Sequence, residues 1–124
     1  MKTSTMKNVI MGSVLAVAAT TSLSANAAAQ TLCTGGVAGN AVAAVAAGTD
    51  FVKVAFTPKC SANVLLQGND LSATVYLVAS ASLKGKTTFN GSSVGGAVTK
   101  SGTCSASPCT TGEVDTALAA APST

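Results

Sequence analysis

Residues 71–83, LSATVYLVASASL, alternate between apolar and polar side chains along almost their whole length. A period of two residues is that of a β-strand with one buried face, because successive side chains point to opposite sides of a sheet. The apolar positions are Leu71, Ala73, Val75, Leu77, Ala79, Ala81 and Leu83. We therefore predict a single strand over residues 71–83.

A strand of this length would be unusual in a small domain. At about 3.3 Å per residue it would extend roughly 43 Å, whereas strands usually have five or six residues. One end could then pass its neighbours within the chain and pair with another chain. The alternative is a strand that bends at Ala79 to Ala81 and contributes to both sheets of one sandwich.

Two further segments have strand patterns and are separated by turn residues. In DFVKVAFTPKC, Val52, Val54 and Phe56 occupy alternate positions until Pro58, which cannot donate to a sheet ladder. A short strand, ANVLLQ, follows, and a turn at residues 68–70 would return the chain as an antiparallel hairpin. The predicted core positions are Leu71, Ala73, Val75 and Leu77, together with Val52, Val54 and Phe56. The tail, EVDTALAAA, fits both a short helix and a last strand.

Residues 1–27 have the three parts of a secretory signal peptide. Two lysines precede an apolar run from Val9 to Ala19, and small residues lead up to Ala27. The apolar run is far shorter than the roughly 20 residues that span a bilayer, so we expect no stable membrane insertion after cleavage. Cleavage after Ala27 would leave residues 28–124 as a single small β domain, and Ala29 offers a second cleavage site. We expect the mature chain to be extracellular, either free or attached to the cell surface.

Four cysteines lie after the leader: Cys33, Cys60, Cys104 and Cys109. A domain of about 95 residues is near the lower limit for a core that is stable by itself, and small exported domains commonly add disulfides. Three pairings are possible. The short polar loop CSASPC favours a bond between Cys104 and Cys109, which leaves Cys33 and Cys60 to close a longer loop worth roughly 3 kcal/mol. Because the chain has no histidine and no CxxC pair, zinc binding is disfavoured.

The composition indicates that part of this protein's surface is covered by other protein molecules. Aromatic residues are 3% of the chain, so its 48% hydrophobic content comes mainly from alanine and valine, which bury little area each. Charged residues are 9%, against roughly 25% in average soluble proteins. So few charges do little to prevent sheet edges from pairing. After loss of the leader, five scattered lysines oppose four acids, and a basic stripe that would bind nucleic acid is absent.

Catalytic groups are scarce in this sequence. It has no histidine to serve as a general base or to activate a nucleophile. Asp50 and Asp70 lie at predicted turns. Glu113 and Asp115 fit the first turn of a helix better than a paired-carboxylate site. We therefore predict no enzyme activity, no cofactor and no metal. The triplet NGS at residues 90–92 is both a glycosylation acceptor pattern and a turn signal.

One family resemblance follows from these segments. A cysteine followed by threonine near the mature N-terminus, the segment FVKVAFTPKC and the short strand SANVLLQG resemble bacterial fimbrial and pilin subunits of the immunoglobulin-like, strand-exchanging kind. The resemblance implies that a terminal segment completes the sheet of a neighbouring subunit. An export chaperone is a further partner that an exported subunit of this kind could use. The donor would be residues 28–38 or the tail from Glu113 to Ala121. This chain departs from the pattern in its closer cysteines, its shorter length and the lack of an aromatic residue near the C-terminus.

Together these observations predict a mainly β protein, a small antiparallel sandwich or sheet cross-linked by two disulfides. The predicted function is structural: a secreted subunit that assembles with copies of itself into an extracellular filament, pilus-like fibre or surface layer. The alternative is a monomeric secreted binding module, an adhesin or inhibitor, that contacts its partner through the Gly/Ser loop at residues 90–98.

Overall fold

The computed structural model describes residues 29–43, 45 and 51–124, so the predicted signal peptide lies outside the described residues. The elements are β1 (Gln30–Thr34), β2 (Gly39–Asn40), β3 (Lys59–Cys60), β4 (Val64–Ser72), β5 (Val75–Ser82), β6 (Thr87–Ser92), β7 (Thr99–Thr103) and α1 (Thr111–Ala119). A five-stranded antiparallel sheet has the order β1-β4-β5-β6-β7, and β2 pairs with β3 in a small second sheet. The predicted mainly β, antiparallel fold is confirmed.

The single strand predicted over residues 71–83 is wrong in its first part. β4 continues through residues 68–70, which pair with β5 instead of forming a turn. The turn lies at residues 73–74, and β5 begins at Val75. A two-residue turn preserves the period of two, so the alternation continues across the turn and conceals it. The hairpin exists, but the described residues 71–83 do not form one long strand that extends past its neighbours.

The strand predicted in DFVKVAFTPKC is also wrong over residues 51–57. Phe56 forms only an isolated bridge with Val45, in which each backbone N–H donates to the other residue's carbonyl at 2.9 and 3.2 Å. The two backbone N–H groups at the start of the segment donate instead to the carboxylate of Asp70, at 2.8 and 2.9 Å. Because a side chain takes the donors that a ladder would need, the segment stays irregular.

Buried side chains form two clusters, one on each face of the five-stranded sheet. The cluster under α1 contains Leu65, Val75, Leu77, Ala79, Ala81, Val114, Ala117 and Leu118, with Leu71 packed at its margin. The other cluster contains Leu32, Cys33, Val45 and Val52. Three predicted core positions are wrong, because Ala73, Val54 and Phe56 are exposed. Ala73 lies in the hairpin turn, and the other two lie in the irregular segment 51–57.

The tail forms a helix, one of the two options that the sequence left open. Thr110 is its N-cap: its side chain accepts the N–H of Glu113 at 3.3 Å, and the Glu113 carboxylate accepts the N–H of Thr110 at 2.8 Å. This reciprocal pair is a capping box. Val114 and Leu118, four residues apart, face the sheet and are buried. No helix among the described residues is long and apolar enough to cross a membrane.

Both disulfides follow the pairing that the short CSASPC loop favours. Cys33 bonds with Cys60, and Cys104 bonds with Cys109. The first bond ties β1 to β3 across a sequence separation of 27 residues. The second closes the loop between β7 and α1, with a separation of 5 residues.

Candidate functional site

β7 is an open edge of the five-stranded sheet. Its inner side pairs with β6, and no strand in the described part of the chain pairs with its outer side. The opposite edge, β1, is covered instead: the N–H of Val42 donates to the carbonyl of Leu32 at 2.9 Å, and Leu32 is only 3% exposed. The two edges of the sheet therefore differ in their access to another chain.

The sheet face opposite α1 carries exposed apolar side chains next to β7. Phe89 is 42% exposed and Val98 is 68% exposed. Val98 lies over Gly91, where an added Cβ would be 3.1 Å from Val98 Cγ2 and 3.7 Å from Val78 Cγ2. The lack of a side chain at Gly91 thus lets the two valines approach each other. We call Val78, Phe89 and Val98 the apolar patch.

The other face of β7 borders a cleft of about 210 Å³ against α1. It is lined by Thr88, Ser101, Gly102, Thr103, Glu113, Thr116, Ala117 and Ala120. Hydroxyl groups and small side chains dominate this lining, and Glu113 is its charged group. A cleft of this size is below the roughly 300–1,000 Å³ of typical small-molecule sites. We call β7, the apolar patch and this cleft together the β7 margin.

Asn90 holds the β7 margin together. Its side chain is 5% exposed, and its Nδ2 donates to the carbonyl of Ala117 at 2.9 Å and to Ser101 Oγ at 3.4 Å. Its Oδ1 accepts the hydroxyl of Thr99 at 3.4 Å. These bonds join β6 to both α1 and β7. The turn interpretation of residues 90–92 is wrong, since Asn90 is buried and lies within β6.

Glu113, a carboxylate that the sequence singled out, acts as a structural group. It accepts the backbone N–H of Thr110 at 2.8 Å, the N–H of Ser105 at 2.6 Å and the hydroxyl of Ser105 at 2.8 Å. These bonds, the one from Thr110 above all, lower its pKa from 4.5 to about 2. A carboxylate that stays ionised at neutral pH is a poor proton donor. The nearby Cys104 and Cys109 form a disulfide, so their sulfurs are not thiolate ligands for a metal.

Asp70 is a buried acid, only 8% exposed, and its position also serves the fold. Its carboxylate binds the start of segment 51–57, as described above, and lies across the hairpin from Tyr76. Burial, with a smaller contribution from Asp70, raises the pKa of Tyr76. The tyrosine ring lies over Gly68 and is 6.1 Å from the ring of Phe51. These contacts fasten the irregular segment to the sheet.

The sequence did not identify the β7 margin as a site. Its strand, TKSGT, has no alternating hydrophobic residues, and nothing in a sequence marks which strand will be last in a sheet. No family model matches this chain, and comparisons with curated proteins and with solved structures also found no match.

Proposed function

We propose that this protein is a secreted structural subunit that assembles with copies of itself into an extracellular filament, fibre or surface layer. The observation that carries the proposal is the apolar patch beside an open sheet edge. Exposed apolar side chains that cluster next to unpaired backbone groups are typical of protein–protein contact surfaces. Two disulfides are typical of an oxidising, extracellular environment.

The charge balance supports a second copy as the occupant of this surface. The mature chain has five lysines and four acids, so two copies repel each other little. Of the two terminal segments that the family resemblance implies as strand donors, the described part of one contains β1 and the other contains most of α1. Both of these elements are packed within their own domain. We therefore base assembly on the β7 margin and not on exchange of a terminal strand.

A monomeric binding module is the second candidate, and one feature favours it. In the loop before β7, Gly95 and Gly96 have φ values of +125° and +90°, which side chains rarely adopt, and Val94 is exposed. Such a loop could present an apolar contact to a different protein. The two candidates differ in whether the purified protein associates with itself.

The test is sedimentation velocity and negative-stain electron microscopy of the oxidised mature chain. We expect oligomers whose size increases with concentration, and regular assemblies on the grid. The variant Phe89→Ser/Val98→Ser should lose the large assemblies. Val37→Ser is the matched control, because Val37 is 81% exposed in the loop between β1 and β2, outside the β7 margin. A wild-type protein that is monomeric at all concentrations would contradict self-assembly and favour the binding module.

A further inference from the structure

We propose that β7 pairs antiparallel with β7 of a second copy, so that two five-stranded sheets join across a two-fold axis. This inference rests on the proposed self-assembly and names the contact that begins it. A contact of this kind uses the same surface on both subunits.

The difference between the two sheet edges selects this pairing. A head-to-tail arrangement would require β1 of one copy to pair with β7 of the next. The middle of β1 is already covered by its own chain, because Val42 donates to the Leu32 carbonyl and Leu32 is buried. β7 has exposed or partly exposed residues throughout. Of the two edges of the described sheet, β7 is therefore the one that can accept another strand, and the strand that it can accept from a copy is β7 itself.

The side chains of β7 suit antiparallel self-pairing. The strand, TKSGT, has threonine at both ends and small residues at its centre. In β7, Lys100 pairs with Phe89 and Thr103 pairs with Thr87, so both side chains lie on the sheet face opposite α1. An antiparallel alignment centred between Ser101 and Gly102 places Lys100 opposite Thr103 of the partner subunit on that face. The small central residues, Ser101 and Gly102, allow the two backbones to approach closely.

Lys100 favours the antiparallel over the parallel orientation of the two β7 strands. In a parallel alignment it would lie opposite Lys100 of the partner subunit, and like charges directly opposite each other are destabilising. In the antiparallel alignment it lies opposite the uncharged Thr103 of the partner subunit.

A two-fold contact alone would stop at a dimer. The apolar patch on the face opposite α1 provides a second contact surface. A dimer that also associates through this surface can extend into an open chain, which is the geometry that a filament requires.

The test changes the charge at Thr103, which is exposed. Thr103→Glu places a carboxylate near Lys100 of the partner subunit, and Thr103→Lys places a like charge there. Measurements are made in the Phe89→Ser/Val98→Ser background, so that association stops at the dimer. Each dimer contains two such pairs, so we expect Thr103→Glu to tighten and Thr103→Lys to weaken the dissociation constant by about 2- to 30-fold, or roughly 0.4–2 kcal/mol. Sedimentation velocity measures the constant, and far-UV circular dichroism checks folding.

Two controls complete the design. Adding Lys100→Glu to Thr103→Lys should restore the dimer, because the opposite charges then face each other in exchanged positions. Thr57→Glu and Thr57→Lys change the net charge equally at an exposed threonine outside the β7 margin, and we expect them to leave the constant unchanged. If wild type assembles but the two Thr103 variants behave alike, or the patch variant is monomeric, β7 pairing is wrong while self-assembly stands. If wild type is monomeric at all concentrations, both proposals fail.

Discussion

Replacing Asn90 with alanine tests whether the β7 margin depends on one buried amide. The Ala117 carbonyl lies in the last turn of α1, where carbonyls have no partner within the helix, and Asn90 Nδ2 donates to it at 2.9 Å. A buried acceptor that loses its partner costs about 1–3 kcal/mol. The bonds to Ser101 and Thr99 are longer, 3.4 Å each, and only part-buried, so water can replace them at little cost. With some loss of packing, we expect Asn90→Ala to lower the free energy of unfolding by about 2–3 kcal/mol.

The assay is reversible urea and thermal unfolding of the oxidised mature chain. For a domain of this size, 1 kcal/mol corresponds to about 4–8 °C in Tm, so the expected decrease is roughly 8–24 °C. Asn63→Ala is the matched control, because Asn63 is exposed and the same substitution there should change stability by less than about 0.5 kcal/mol. Hydrogen exchange should also accelerate in α1. If Asn90→Ala unfolds within about 0.5 kcal/mol of wild type, the amide does not hold the helix to the sheet.

Three further predictions concern the other polar and covalent links. Asp70→Asn should destabilise the fold by about 1.5–3 kcal/mol in urea unfolding, because an amide can accept only one of the two N–H groups that the carboxylate now binds; an unchanged midpoint would contradict this role. The pKa of Glu113 is lowered from 4.5 to about 2 in the folded protein, so its stabilising effect is complete above pH 4.5 and is lost as the pH falls towards 2. The Tm of wild type should therefore fall more steeply over that range than the Tm of Glu113→Gln, and parallel curves would refute the assignment. Replacing Cys33 and Cys60 with serine should cost about 3 kcal/mol in thermal unfolding, since the bond closes a loop of 27 residues; a loss below 1 kcal/mol would refute the chain-entropy account.

Local patterns in the sequence predicted part of this fold. The alternation around Val75 to Ala81 predicted a buried strand face. The sequence of the tail fits both a helix and a strand, and the structure shows a helix whose capping box is formed by Thr110 and Glu113. The turn at residues 73–74 was hidden because it has two residues and keeps the period of the strands. Segment 51–57 has the alternating residue pattern of a strand. Its first two backbone N–H groups, however, donate to the carboxylate of Asp70, which lies 18 to 19 residues further along the chain. Such contacts depend on the tertiary structure, and the periodicity of the sequence cannot predict them.

The Cys33–Cys60 bond lies at the covered edge of the sheet. It joins β1 to β3, and Val42, which lies between these strands in the chain, donates its N–H to the carbonyl of the buried Leu32. The Cys104–Cys109 bond lies at the end of β7 and covers none of that strand's outer side. One disulfide thus lies at the covered edge, while the other joins the edge strand β7 to the helix that follows it. Of the two edges of the described five-stranded sheet, β7 is the one that is open to a further strand.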